Sequence, residues 1–262
     1  MTGLERFGPF DAGERRAIAA DLRLLALLHE QRPDRALIEH LRATSATELL
    51  SMPPASPDGR HALELFRIAL SPFTTPLDGR GLDDLAADHA AIYLTNAFGA
   101  SPMESPWIDP DGLWGQDAMF QVRDWYRHWG LEVPDWRSRP DDHLVTQLLF
   151  VAHLMEATDA PAALVDAARF LDLHLLRWLE PFVATVMKRS WTAYFAGLAS
   201  LTHAYVGDLR GALERREDLP REEVEPIAVE KDRRRTDETV AMRAAAAAGG
   251  MGAAPEARDE RP

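Results

Sequence analysis

The chain is predicted to be an all-α protein, a single compact helical domain followed by a charged, mobile tail. Three observations carry that prediction. Apolar residues recur at three- and four-residue intervals in one segment after another. Most prolines and glycines fall between these segments rather than within them. No convincing run of alternating polar and apolar residues interrupts the pattern, so nothing reads as a half-buried strand.

The first helix is expected over residues 14–30, where Ile18, Leu22, Leu25 and Leu28 form one apolar stripe. Pro33 ends it, and Asp34 then caps a short helix with Leu37, Ile38 and Leu41 on its inner face. The cluster from Ser51 to Gly59 contains three prolines and is expected to be a surface loop. A helix over 61–70 carries Leu63, Phe66 and Ile68, and a second loop holds Pro72, Pro76 and Gly79. The stretch 82–98 is the next strong helix, with Gly99 as its terminator.

After the proline-rich loop from Ser101 to Pro110, a helix over 117–129 presents Met119, Val122, Trp125, Tyr126 and Trp129. Asp141 or Asp142 caps a helix reaching about Ala157, and Pro161 suits the first turn of another, which Pro181 should kink or split. The last helix spans roughly 182–206 and stops at Gly207. About seven or eight helices therefore build a domain over 1–207. Residues 208–262 are rich in charges of mixed sign and poor in large apolar groups, which marks a tail with little to offset ordering entropy.

Charge and composition narrow the function. Lys and Arg number 29 against 42 Asp and Glu, a formal charge of −13, which disfavours a nucleic-acid partner. A basic peptide suits that balance better, although negative charge also simply maintains solubility. There are no cysteines, so disulfides, thiol catalysis and cysteine-ligated metals are absent. Residues Met1 to Phe7 lack the apolar run of a secretory signal, and no segment approaches the roughly 20 apolar residues of a membrane span. The expectation is a soluble, cytoplasmic protein with no membrane insertion.

Nine histidines are present, but none is paired at the spacing of a zinc protease. No metal and no catalytic residue is expected. The polar candidates lie in two places. Glu104 and Ser105 sit in a rigid loop between prolines, beside the large ring of Trp107; they either meet a partner or brace a neighbouring helix. In the second place, one of Asp141 and Asp142 should cap the helix, leaving the other and His143 for a partner, with Gln147 one turn along the same face. Trp125, Tyr126, Trp129 and Trp136 either pack the core or line a groove for an apolar peptide.

The order and spacing of three signatures resemble the TorD/DmsD/NarJ family of molybdoenzyme maturation chaperones. They are Tyr93-Leu94 through Phe98-Gly99 to Pro102-Met103-Glu104-Ser105; Pro140-Asp141-Asp142-His143-Leu144; and Phe170-Leu171 with His174 and Trp178, followed by Tyr194-Phe195. The resemblance extends from Leu82 to Val206, more weakly from residue 14. One departure is Gln147, where the family commonly has glutamate. The resemblance implies a helical chaperone without catalysis or a cofactor of its own. Its partner would be the apo catalytic subunit of a dimethyl-sulfoxide-reductase-type molybdoenzyme, in some cases through a twin-arginine signal peptide. Client-contact residues implied by the resemblance and the physical reading together are Tyr93, Glu104, Ser105, Trp107, Trp125, Tyr126, Asp141, Asp142, His143 and Gln147. The other readings are a helical metal-dependent hydrolase and an adaptor subunit of an oxidoreductase complex. Monomer and dimer both remain open, as does contact with a nucleotide or with the molybdenum cofactor.

Overall fold

The computed structural model describes residues 4, 8–44, 46–71, 73, 79–134 and 139–224. Every regular element among them is helical, as expected. Helix α1 (Ala12–Glu30) is closed at its start by a reciprocal capping box between Asp11 and Glu14, a signal earlier in the chain than the apolar stripe itself. Asp34 caps α2 (Arg35–Ala43) through the Leu37 amide, as its sequence position predicts. A single turn, α3 (Ala46–Leu49), follows. The proline cluster was expected to be only a loop; instead its end starts α4 (Pro57–Ala69), because Ser56 caps the Gly59 amide and Pro57 suits the first helical position.

Helix α5 (Gly79–His89) does not run to Phe98. It widens into a π-helical turn at Ala90–Leu94 and ends there, with Gly99 at φ +61° further on. A short α6 (Ser105–Ile108) lies within the proline-rich loop. Helices α7 (Asp117–His128) and α8 (Leu144–Glu156) match their expected positions. From residue 160 the stretch expected to form two helices forms three: α9 (Ala160–Phe170), α10 (Leu176–Arg189) and α11 (Ala193–Glu217). Nine helices of at least nine residues are therefore present among the described residues, rather than seven or eight. The break does not fall at Pro181, which α10 accommodates. It falls at Leu171–Leu175, a second π-helical turn, and again at residues 190–192.

Helix α11 is the hub. It packs against α4 on one side and α10 on another, while α1 lies along α8 and α8 against α9. Tyr194, Phe195, Leu198, Leu201, Tyr205, Leu209 and Leu213 are all buried along it. The helix runs through Gly207, where it was expected to stop, because Leu209, Ala212 and Leu213 continue the buried face. Residues up to 224 are held to this body, so part of the segment expected to be tail is packed. Residues 225–262, and Trp136 with Pro72 and Pro76, lie outside the described residues.

The α4–α11 contact depends on Gly197. A Cβ there would lie 3.0 Å from the Phe66 Cα and 3.3 Å from the Ala69 Cβ, so a larger residue must push backbone rather than a flexible side chain. Gly197→Leu is expected to lower unfolding free energy by about 2–3 kcal/mol. Urea denaturation followed by helical circular dichroism checks it, and an unchanged midpoint would contradict the tight crossing.

A helical protein must still satisfy the amides of its loops. Here helix-borne aspartates do so. Asp21 accepts from the amides of Ser51 and Met52 at 2.7 Å each, and also from the Tyr205 hydroxyl. Asp88 accepts from the amides of Trp191 and Thr192, and Asp208 from those of Ala55 and Ser56. Each is a charge-assisted clamp of helix on loop.

Candidate functional site

The two polar segments singled out in the sequence meet. The Glu104 amide donates to the Asp142 carbonyl at 3.1 Å and the Leu144 amide to the Pro102 carbonyl at 2.8 Å. These two bonds form an isolated antiparallel bridge between Met103 and His143. The loop is thus stitched by its backbone to the start of α8, in the manner of one rung of a sheet.

Side chains reinforce the stitch. Asp142 accepts from the Ser105 amide at 2.8 Å and its hydroxyl at 2.6 Å. Trp107 donates its indole N–H back to the Ser101 carbonyl. Asp141 accepts twice from the Arg123 guanidinium, while its carbonyl takes the Tyr126 hydroxyl at 2.9 Å. Neither aspartate caps α8, contrary to expectation. His143 does so, its Nδ1 accepting from the Val145 amide. The two carboxylates are instead drawn to stronger charge-assisted donors.

Beneath the stitch, Glu104 reaches into the interior. It accepts from the Gln147 amide at 2.5 Å and lies 3.0 Å from His174 Nδ1. Gln147 in turn accepts from the Trp178 indole at 3.2 Å. Glu104, Ser105 and Gln147 are 0% exposed, Asp142 1% and Asp141 2%. Burial pushes the carboxyls of Glu104 and Asp142 above the ordinary range, and their hydrogen-bond donors pull them only partly back. Gln147 is well matched to this position: its N–H serves Glu104 and its oxygen serves Trp178. The glutamate common in the resembled family would set a second carboxyl against Glu104, and one of the two would have to hold a proton.

The aromatic candidates divide. Tyr126 is buried, 4.8 Å from Phe150 between ring centres. Trp125 is half-buried, edge-on to Phe170 and His174, with the Arg169 guanidinium over its face. Trp129 donates to Asp166. Tyr93 lies in the first π turn and His174 in the second, so both wide turns carry a residue of this region.

The Tyr93 hydroxyl lies 2.6 Å from His29 Nδ1, and His29 Nε2 lies 2.8 Å from the Thr202 hydroxyl, which itself donates to the Leu198 carbonyl. That chain of donors assigns His29 the neutral tautomer with its proton on Nε2. The sequence reading missed His29 and Arg123. Both stand on the inner or flanking face of an amphipathic helix, and no local pattern names their partners.

A profile described as the nitrate reductase delta subunit matches residues 57–184, which contain the stitch and both π turns. The chain is 25% identical over 191 residues to the "Chaperone protein TorD" of Shewanella pealeana, covering 70% of this chain and 83% of that one. It is 27% identical over 192 residues to that of Shewanella piezotolerans, covering 70% and 86%. For Vibrio cholerae the figures are 29% over 131 residues, 47% and 59%. These comparisons support the resemblance to the TorD/NarJ family.

Two histidines beside this site, His29 and His143, are weak bases. Burial lowers both His29 and His143 from 6.5 to about 3. A histidine whose folded value is depressed contributes stability that is present above pH 6.5 and lost as pH falls toward 3. His29 alone accounts for a slope of about 1.4 kcal/mol per pH unit in that window. His143 is half-buried and contributes less. Glu104 and Asp142 act in the opposite sense, since raised carboxyls favour the fold as pH drops through their folded values. Wild-type urea midpoints should therefore fall between pH 6.5 and 5, and His29→Gln should flatten that slope. Parallel slopes would remove His29 as the source. Among the described residues, no group of three or more His, Asp or Glu is placed to hold a metal ion.

Proposed function

We propose that this protein is a maturation chaperone for a molybdoenzyme of the dimethyl-sulfoxide-reductase type. It holds the apo catalytic subunit in the cytoplasm, in part through a twin-arginine signal peptide, until the cofactor is inserted. The observation that carries this reading is the similarity to the TorD/NarJ family across the segment that forms the stitch. The chemistry of the site supports it. Ser105 donates to Asp142 rather than to a histidine, and burial makes His29 and His143 weak bases that stay neutral near pH 7. Such groups position a loop; they do not activate a nucleophile.

Within this reading, the buried members of the candidate set, Glu104, Ser105, Tyr126, Asp141, Asp142 and Gln147, act by fixing the loop. The half-buried Tyr93, Trp107, Trp125 and His143 are the ones within a client's reach. The domain boundary belongs beyond residue 224, and residues further on are the tail.

Affinity capture of the tagged full chain from its native host tests the reading. The expected companion is a molybdenum oxidoreductase catalytic subunit lacking its cofactor. Recovery of a mature, cofactor-loaded enzyme would instead favour the adaptor role to which the delta-subunit description points. Stoichiometric metal in the chaperone itself would contradict both.

A further inference from the structure

The polar signature is buried, so it leaves open where a client first touches the surface. Resting on the chaperone reading above, we propose that the segment from Asp109 to Asp124 is the docking surface. Its occupant is a stretch of client carrying adjacent arginines followed by an apolar run.

Three large apolar side chains face water here within a short span: Leu113 is 53% exposed, Trp114 54% and Phe120 48%. Exposing that much apolar surface in so few residues is unfavourable unless something covers it. The backbone is built to present it. Asp109 Oδ1 accepts from the amides of Asp111 and Leu113, and Gly112 and Gly115 hold φ of +68° and +67° on either side of Leu113-Trp114. Those left-handed positions favour glycine, so the outward turn is fixed before any partner arrives. Phe120 lies on the first turns of α7, with Asp117 three residues before it and Asp124 four after, all on one helical face.

Charge selects the occupant. The segment holds Asp109, Asp111, Asp117 and Asp124 against one cation, Arg123, which is bonded to Asp141 and lies over the Phe120 ring. Arg127, one turn on, pairs with Asp124, but the four carboxylates still outnumber the two cations, so the field is net negative around an apolar centre, complementary to arginines beside a greasy stretch. A second exposed apolar surface has the opposite character. Leu94, Met187 and Trp191 are 71%, 58% and 80% exposed, but Lys188 and Arg189 flank them in sequence and are also exposed. That surface would repel the same peptide. The proposed surface also begins where the stitched loop ends, since α6 leads into Asp109, so bracing by Asp142 and Glu104 holds it in place.

The test uses the full chain and a fluorescein-labelled synthetic peptide with two adjacent arginines ahead of a leucine- and alanine-rich run, read by fluorescence anisotropy. Wild type should bind it, and a version with both arginines changed to glutamine should bind more weakly. The double variant Trp114→Ala, Phe120→Ser should lose about tenfold or more in affinity. Asp111→Asn with Asp117→Asn should lose about threefold at low salt, a difference that vanishes at high salt. Leu94→Ser with Trp191→Ala should leave affinity unchanged. All of these positions are exposed, and circular dichroism confirms that the variants are folded. Variants of the Leu113–Phe120 surface that bind like wild type would overturn the proposal, as would loss of binding in the Leu94 and Trp191 variant. If wild type captures a client from its host yet ignores the peptide, this surface assignment fails and the chaperone reading stands. Should it capture no client at all, the underlying reading fails.

Discussion

Glu104→Ala is expected to be among the most destabilising single substitutions in the protein, lowering unfolding free energy by about 3–5 kcal/mol. Glu104 is wholly buried and accepts from Gln147 while facing His174. Truncation leaves the Gln147 amide and the His174 Nδ1 without their acceptor in a region water does not reach, and each orphaned polar group carries its own desolvation cost. It also opens a void under α6, so the Met103–His143 bridge loses its support. For a chain of this size the melting temperature should fall by roughly 10 °C. Glu104→Gln retains the shape and one acceptor and should cost distinctly less. If alanine and glutamine prove equivalent in thermal and urea denaturation, the carboxylate is not the keystone described above.

Arg210→Ala should have a comparable effect by a different route. Arg210 is 0% exposed and spends its guanidinium on Asp172, at 2.8 and 2.7 Å, and on the carbonyls of Leu219 and Pro220. Asp172 also accepts from the Glu222 amide, so one buried ion pair holds the segment that follows α11. Removing the cation leaves the buried Asp172 with only the half-exposed Arg221, 3.9 Å away, as counter-ion, a loss of about 3–5 kcal/mol. The segment 218–224 should then be released before the helices melt. Hydrogen exchange should show fast amides at Leu219 to Glu222 in the variant under conditions where α8 and α11 remain protected. Equal protection across the two proteins would show that the strap is held by something other than this pair.

Helices declare themselves through local spacing, which is why most of the fold was legible. Ile18, Leu22 and Leu25, or Asp34 ahead of Leu37, need only neighbours one turn away. Breaks were less legible because they answer to distant partners. Residues 190–192 leave the helix where Asp88, about a hundred positions earlier, supplies a carboxylate for the amides of Trp191 and Thr192. Helix α11 ignores Gly207 because Leu209 and Leu213 find cover. Neither fact is written nearby in the sequence.

The candidate site shows the same division. The sequence picks out Glu104, Ser105, Asp141, Asp142, His143 and Gln147 as unusual, and the structure brings them together. It does not reveal that most of them are turned inward. An aspartate at a helix start reads as a cap, yet here histidine takes that role and the aspartates answer Ser105 and Arg123. The cue that could have shown this was Arg123 itself, three residues before Tyr126 on a helix otherwise rich in apolar groups. Its partner, however, lies across a loop.

The bridge between Met103 and His143 joins the two ends of a long detour in the chain, which leaves at the loop and rejoins at α8. Because both ends are fastened to each other, the turn from Asp109 to Gln116 can face solvent while α7 beyond it packs on α8 through Tyr126 and Phe150. A change of length or composition confined to that turn should therefore leave the helices seated.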